Sequence, residues 1–435
     1  MQIAVAMASI AILLGLMAVV RRLSELWNIS PEVQRKLVHI GTGIYALTLP
    51  WLFPDRWPVY FLVGLTLIVM LALRMPHSKL GGTLHGVGRQ SYGDLLLAVS
   101  VGLCLFLAGE QLFLYVLPIA ILTLADAAAA LAGSAYGTRF FRIEAGQKSV
   151  EGSVVFFFVS MLISVICLIM MTPLATPNII MLSVMVAGFG TLVEAASWRG
   201  FDNLFLPLGL LIFLYVHMDS SLTDLVLLAV LIGPAIVVFL AIAPKFGLTR
   251  HAASVYVTTV FLLLAVTAVQ NTIIPIMVLA AHAWCRSATP CESKFPDLDV
   301  VAALALVSFG WLTIGNATGW NAVSFYGMTA MGMVMALCAI ALSGRPILIQ
   351  ILSLVLIAVT LLGIRSLALG LNPEVANWNG SMILISGVGI VLAAMLPIVA
   401  PHLFLQARVA RLTVLSLIVP LGTFLVSISF ADAVA

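Results

Sequence analysis

Charge is scarce in this chain. Only 9% of its 435 residues are Asp, Glu, Lys or Arg, where a soluble domain carries roughly 25%. With 63% hydrophobic residues, no soluble fold could cover so much apolar surface, so lipid must be part of the solvent. Cysteine is sparse too: five residues, scattered and mostly inside apolar runs. Cys285 and Cys291 form no CxxC pair, and no His stands at metal-ligand spacing from both. The cysteines therefore read as packing residues rather than as a disulfide framework or zinc site. The net charge of +3 comes without a basic stripe, which speaks against nucleic acid as a partner. Long polar linkers are also missing, so no soluble domain is expected.

What is present is a succession of apolar runs, each near the length that crosses a bilayer as a helix, about 16 in all (about 14 to 16 at the boundaries' precision). The expected fold class is all-α: a polytopic transmembrane helical bundle. The first run, Ile3 to Val20, has no Lys or Arg before it and is followed directly by Arg21 and Arg22, as in a retained helix rather than a cleaved signal peptide. One run, 272–285, is short enough to be re-entrant. With the N-terminus outside, 18 of the 20 Lys and Arg fall in alternate, odd-numbered loops; Arg56 and Arg365 are the exceptions. Cytoplasmic loops are enriched in Lys and Arg, so the odd loops are expected to be cytoplasmic.

Acids are denser up to and including Asp224 (12) than after it (5), which suggests a membrane-embedded catalytic part over 1–224 and a further helical part over 225–435. Acids at a membrane edge are costly and mark function by default. Arg35, Lys36 and His39 share one helix face by spacing; a positive-inside flank explains the first two but not His39, inside the apolar run. Tyr92 and Asp94 open the fourth helix, where Asp94 also suits the helix dipole. Asp126 lies late in the fifth, with Gly133 and Gly137 on the same face of an Ala-rich segment. Lys148, Ser149, Glu151 and Gly152 precede the sixth; Lys148 and Glu151, three apart, could form a simple ion pair. The stretch fails the Walker pattern, lacking the earlier Gly and a preceding strand. Glu194 ends the seventh helix, and Asp202 and Asn203 open the eighth.

Carboxylates at a membrane edge can hold Mg²⁺, which takes one or two of them plus substrate phosphates. Lys and Arg neutralise phosphate oxygens, and phosphoryl transfer needs positioning and charge stabilisation above all. Nucleotides are cytosolic, and an apolar alcohol can reach the same edge from the bilayer. These residues therefore suit a nucleotide-using lipid enzyme.

The ordered set Arg35-Lys36-x-x-His39, Ser91-Tyr92-Gly93-Asp94, Asp126-Ala-x-Ala-Ala-x-x-Gly133-x-x-Tyr-Gly137, Lys148-Ser149-x-Glu151-Gly152-Ser153 and Glu194-Ala…Asp202-Asn203-x-x-x-Pro207 resembles the dolichol kinase / phytol kinase family of membrane-embedded polyprenol kinases. The resemblance covers about residues 30–218. It implies transfer of the γ-phosphoryl group of CTP to an isoprenoid alcohol of phytol, farnesol, geranylgeraniol or dolichol type. It implies catalytic roles for Asp126, Lys148, Glu151 and Glu194, with Mg²⁺ on Asp126 and Glu151. The nucleotide would lie against Arg35, Lys36, His39, Gly133, Gly137, Lys148, Ser149 and Gly152. Tyr92, Asp94, Asp202 and Asn203 would support the substrate.

The second half carries no recognised motif, and Asp297 and Asp299 are expected at a solvated helix start. It could form a lipid-binding wall or an oligomer interface, or carry a second activity. The alternatives are a CTP-dependent cytidylyltransferase acting on a lipid phosphate, whose signature is absent, and a secondary transporter, which usually places its charges near the midplane. The expected setting is a plasma or inner membrane in a bacterium, or the endoplasmic reticulum or a plastid in a eukaryote, with the site facing the cytoplasm.

Overall fold

A computed structural model describes residues 2–73, 92–144, 146–319, 322–372 and 382–434. Arg74, Lys79, Arg89 and Ser91 lie outside the described residues. Within them the chain forms 16 helices, counting Phe113–Tyr136 as one. Nine of these are long and apolar enough to cross a membrane, and the protein is a helical, multi-pass membrane protein. It divides into two compact units, Met1–Ala241 and Ile242–Ala435.

The first unit holds α1 (Gln2–Trp27), α2 (Pro31–Leu52), α3 (Trp57–Leu73), α4 (Gly93–Leu107), α5 (Phe113–Tyr136), α6 (Val150–Met171), α7 (Thr176–Ala196), α8 (Asp202–His217) and α9 (Leu222–Ile242). Its centre is α5, whose apolar segment is 72% buried, while that of α9 is only 6% buried. The outward faces keep large apolar residues such as Ile166, Met170 and Val237 exposed, as expected where lipid replaces water.

Lipid offers little hydrophobic drive between helices, so close approach depends on small residues. Two crossings illustrate this. A Cβ on Gly43 of α2 would overlap the side chain of Thr123 on α5. A Cβ on Gly152 of α6 would come 2.9 Å from the Ala129 carbonyl oxygen of α5.

One departure from the all-α expectation separates α5 from α6. Strand β1 (Phe140–Ile143) pairs antiparallel with β2 (Gly146–Ser149), placing Phe141 opposite Lys148. Strands of four residues are too short to stand out as an alternating pattern.

The second unit holds α10 (Arg250–Val266), α11 (Val269–Ala288), α12 (Pro296–Thr318), α13 (Val323–Leu342), α14 (Ile347–Leu371), α15 (Ile383–Val399) and α16 (Arg408–Val434). Its central helix is α13, 94% buried over its apolar window. The run that looked short at 272–285 is a 20-residue helix, α11, because its polar start, Gln270 to Thr272, is helical too.

Two further expectations are corrected here. Arg365 lies in no loop: it is buried inside α14 and donates to the Ser324 carbonyl at 3.3 Å. Asp297 is not solvated: it is 2% exposed. It accepts from Arg286 and, at 3.2 Å, from the Tyr256 hydroxyl, with His282 Nε2 at 3.4 Å. Asp299 accepts from Ser293.

Candidate active site

The site begins with an interruption in α5. Pro118 lacks the N–H that would continue the helical ladder, and the next residues, Ile121–Ala125, form a π-helical turn. Such turns often sit at functional sites. The turn ends at Asp126, whose N–H reaches back to the Ile121 carbonyl. The Leu122 carbonyl lies 3.3 Å from His39 Nε2 on α2.

Residues 36, 39 and 43 recur at spacings of three and four, so they share one face of α2. Gly43 lets that face close on Thr123. Lys36 and His39 are thereby carried to the carboxylate. Lys36 Nζ donates to Asp126 Oδ2 at 2.6 Å, and His39 Nε2 lies 3.6 Å from the same oxygen. The Lys36 and Asp126 side chains are each 8% exposed. A buried charge is tolerable only when paired, and here each neutralises the other.

The hairpin supplies the second pair. Ser149, at the end of β2, caps α6 by accepting from the Gly152 N–H at 3.0 Å. Lys148, one residue earlier, reaches Glu194 Oε1 on α7 at 2.7 Å and Ser197 Oγ at 3.0 Å, and it also donates to the Glu194 carbonyl. Burial works against the Lys148 charge, but Glu194, then Asp202, then Asp126 outweigh it, and the ammonium's pKa lies above its ordinary value. Lys148 thus sits in the field of Asp126 as well as of its partner Glu194.

The simple Lys148–Glu151 pair is not formed. Glu151 accepts from the Thr138 hydroxyl and, at 3.1 and 3.3 Å, from the Arg139 N–H. It ties the chain entering β1 to the start of α6. Both of its oxygens are engaged there, which weighs against the metal-ligand role expected for it. A Cβ on Gly133 would overlap Ser149 Oγ, and one on Gly137 the Gly133 carbonyl oxygen, so helix and hairpin packing already require both glycines.

Of the remaining expected residues, Arg35, Asp94 and Asn203 meet at a pocket, and Tyr92 and Asp202 stand next to them in the chain without lining it. Asp94 lies in the first turn of α4, and the Tyr92 N–H just before it donates to the Arg199 carbonyl at 2.9 Å. Arg199 and Gly200 both have positive φ (50° and 86°), and this tight turn starts α8. Asn203 donates its amide to the Gly200 carbonyl at 3.2 Å, and Asp202 accepts from the Asn203 N–H at 3.1 Å. Arg35, His39, Asp94 and Asn203 line a pocket of about 1020 Å³, its open mouth included, which continues between α1, α2, α3 and α4 as an apolar channel. The channel, the Ser197 contact and the Gly43–Thr123 crossing were not foreseen, since all are tertiary and none has a local pattern.

Among the described residues no three His, Cys, Asp or Glu side chains converge as a metal site. Mg²⁺ needs no such cage, since it takes one or two carboxylates plus substrate phosphates. Asp126 engages Lys36 and His39 through Oδ2, and a carboxylate is the donor type that Mg²⁺ takes.

No family model and no solved structure match the chain. A curated phytol kinase from Synechocystis sp. is 33% identical over 211 residues, spanning 47% of this chain and 88% of that protein. Because the similarity runs through most of that relative's length, the chain belongs, over this segment, to the phytol kinase family.

Proposed function

We propose that the first unit transfers the γ-phosphoryl group of CTP to the hydroxyl of an isoprenoid alcohol at the cytoplasmic face of the membrane. The observation that carries this is two lysine–carboxylate pairs, the buried Lys36–Asp126 and the partly buried Lys148–Glu194, the first lying behind His39 at the polar end of a pocket that is otherwise apolar. The name of the Synechocystis relative supports a prenol as acceptor. The bias of Lys and Arg toward one set of loops supports the cytoplasmic face.

In this reading the lysines exchange carboxylates for phosphate oxygens when the nucleotide binds. Lys148 faces the phosphates, with Glu194, Ser197 and Asp202 holding it in place. Asp126 stands behind His39, which lines the polar end of the pocket, and orients the acceptor hydroxyl. As the hydroxyl oxygen bonds to the γ-phosphorus, the bond to the β-phosphate oxygen breaks and CDP leaves. The hydroxyl proton passes to a carboxylate, assigned here to Asp126. Mg²⁺, held by Asp126 and phosphate oxygens, would supply further neutralisation of the transferred group.

The test is incubation of purified protein with Mg²⁺, a panel of prenols and γ-labelled CTP, ATP, GTP or UTP in parallel. Labelled lipid phosphate is expected with CTP. No labelled lipid with any pairing would overturn the proposal, and release of labelled pyrophosphate would point to a cytidylyltransferase instead.

A further inference from the structure

We infer that the channel along α2 binds the tail of a single-chain prenol and that Ala46 and Leu49 limit the tail length accepted. This rests on the kinase reading for what happens at the hydroxyl, though not for the binding itself.

The pocket is graded from polar to apolar. At one end stand Arg35, His39, Asp94 and Asn203. The Asn203 amide is oriented by its bond to the Gly200 carbonyl, and among the described residues its buried Oδ1 has no hydrogen-bond partner. A ligand hydroxyl at this end would offset that cost. Beyond it the walls lose polar character even where the residues are polar. The Thr42 and Thr66 hydroxyls bond the carbonyls of Val38 and Leu62 in their own helices at 2.8 Å. The Tyr45 hydroxyl is engaged with Ser9. The remaining walls are aliphatic, with Met17, Leu62 and Val101 among them.

The far end is set by α2. Leu49 lies about four turns beyond Arg35, about 21 Å along the helix axis. Ala46, one turn before it, is 4% exposed, and its carbonyl is held at 2.6 Å by Tyr115 of α5. That backbone cannot withdraw to lengthen the channel. A channel of this length, walled by α1, α2, α3 and α4, suits one short prenol chain, not a two-chain phospholipid or a long polyprenol.

The test uses the full-length protein and two photoactivatable prenols, one with a diazirine near the hydroxyl and one at the tail tip, cross-linked without nucleotide. The head probe is expected to label peptides containing His39, Asp94 or Asn203, and the tail probe those around Ala46, Leu49 and Leu62. Label spread over outward-facing helices, displacement of the probes by phospholipid, or the two probes reversed would overturn the inference. In the kinase assay, Ala46→Trp should lower the ratio of kcat/KM for a long over a short prenol by about tenfold or more, and Leu49→Ala should raise it. An unchanged ratio in both variants would also overturn it. Correct cross-linking with no phosphorylation of any prenol would instead support the channel and fail the kinase reading.

Discussion

Lys36 Nζ lies 2.6 Å from Asp126 Oδ2, a buried contact between residues 90 apart in the chain. Neither charge has reason to be there alone. Breaking such a pair costs about 3–5 kcal/mol because the survivor stays buried and uncompensated, while replacing both partners costs far less. Lys36→Met and Asp126→Asn should each lower the thermal midpoint in detergent and abolish activity. The double variant should recover the midpoint but not the activity. Recovery of both would mean that the pair serves packing alone.

Lys148 is 20% exposed beside Glu194, so its loss should cost less stability than loss of Lys36 and should show chiefly in the chemistry. Removing a single preorganised charge at a transition state typically costs a factor of about 10² to 10³ in kcat. Lys148→Gln should lose about that much in steady-state assays, with membrane insertion unchanged.

The Lys148 pKa is raised in the folded protein. Its contribution to stability is therefore complete below the ordinary value of 10.5 and is lost only as pH rises through the higher folded value. Any change in activity between neutral pH and that limit must come from other groups. A pH–rate profile of Lys148→Arg parallel to wild type over this range is the expected result.

Mg²⁺ titrations separate the two acids expected to bind metal. Glu151→Gln should leave the Mg²⁺ concentration for half-maximal activity unchanged, because that carboxylate is engaged by Thr138 and Arg139. Asp126→Glu, where activity survives, should shift it. A shift in Glu151→Gln would restore Glu151 as a ligand.

The Gly43–Thr123 crossing sets the distance between α2 and α5. Gly43→Ala should destabilise by about 1–3 kcal/mol, as overpacking does, and should reduce activity by displacing His39 and Lys36. Adding Thr123→Ala removes the two nearest atoms, Oγ1 and Cγ2, and should restore part of both in unfolding and rate measurements.

Much of the helical fold could be read from the chain, because long apolar runs are the strongest pattern a sequence carries. Asp126 and Glu194 stood out for a related reason: a carboxylate within such a run demands an explanation. Their partners did not stand out. Lys148 has an acid three residues away, yet it bonds one 46 residues away, because β2 aims it at α7 and Glu151 turns back to Arg139. Asp297 looked like a solvated helix start because Arg286, His282 and Tyr256 reach it from other helices. The channel left no trace, since any aliphatic residue can build such a wall.

Mass spectrometry of the products formed from phytol, CTP and Mg²⁺ by the wild-type protein and by Asp126→Asn decides whether this site is a prenol kinase's. Phytyl monophosphate and CDP are expected in equal amounts from the wild type and neither from the variant. Absence of phytyl monophosphate from the wild type, or its formation by Asp126→Asn at the same rate, would rule out phosphoryl transfer at Asp126.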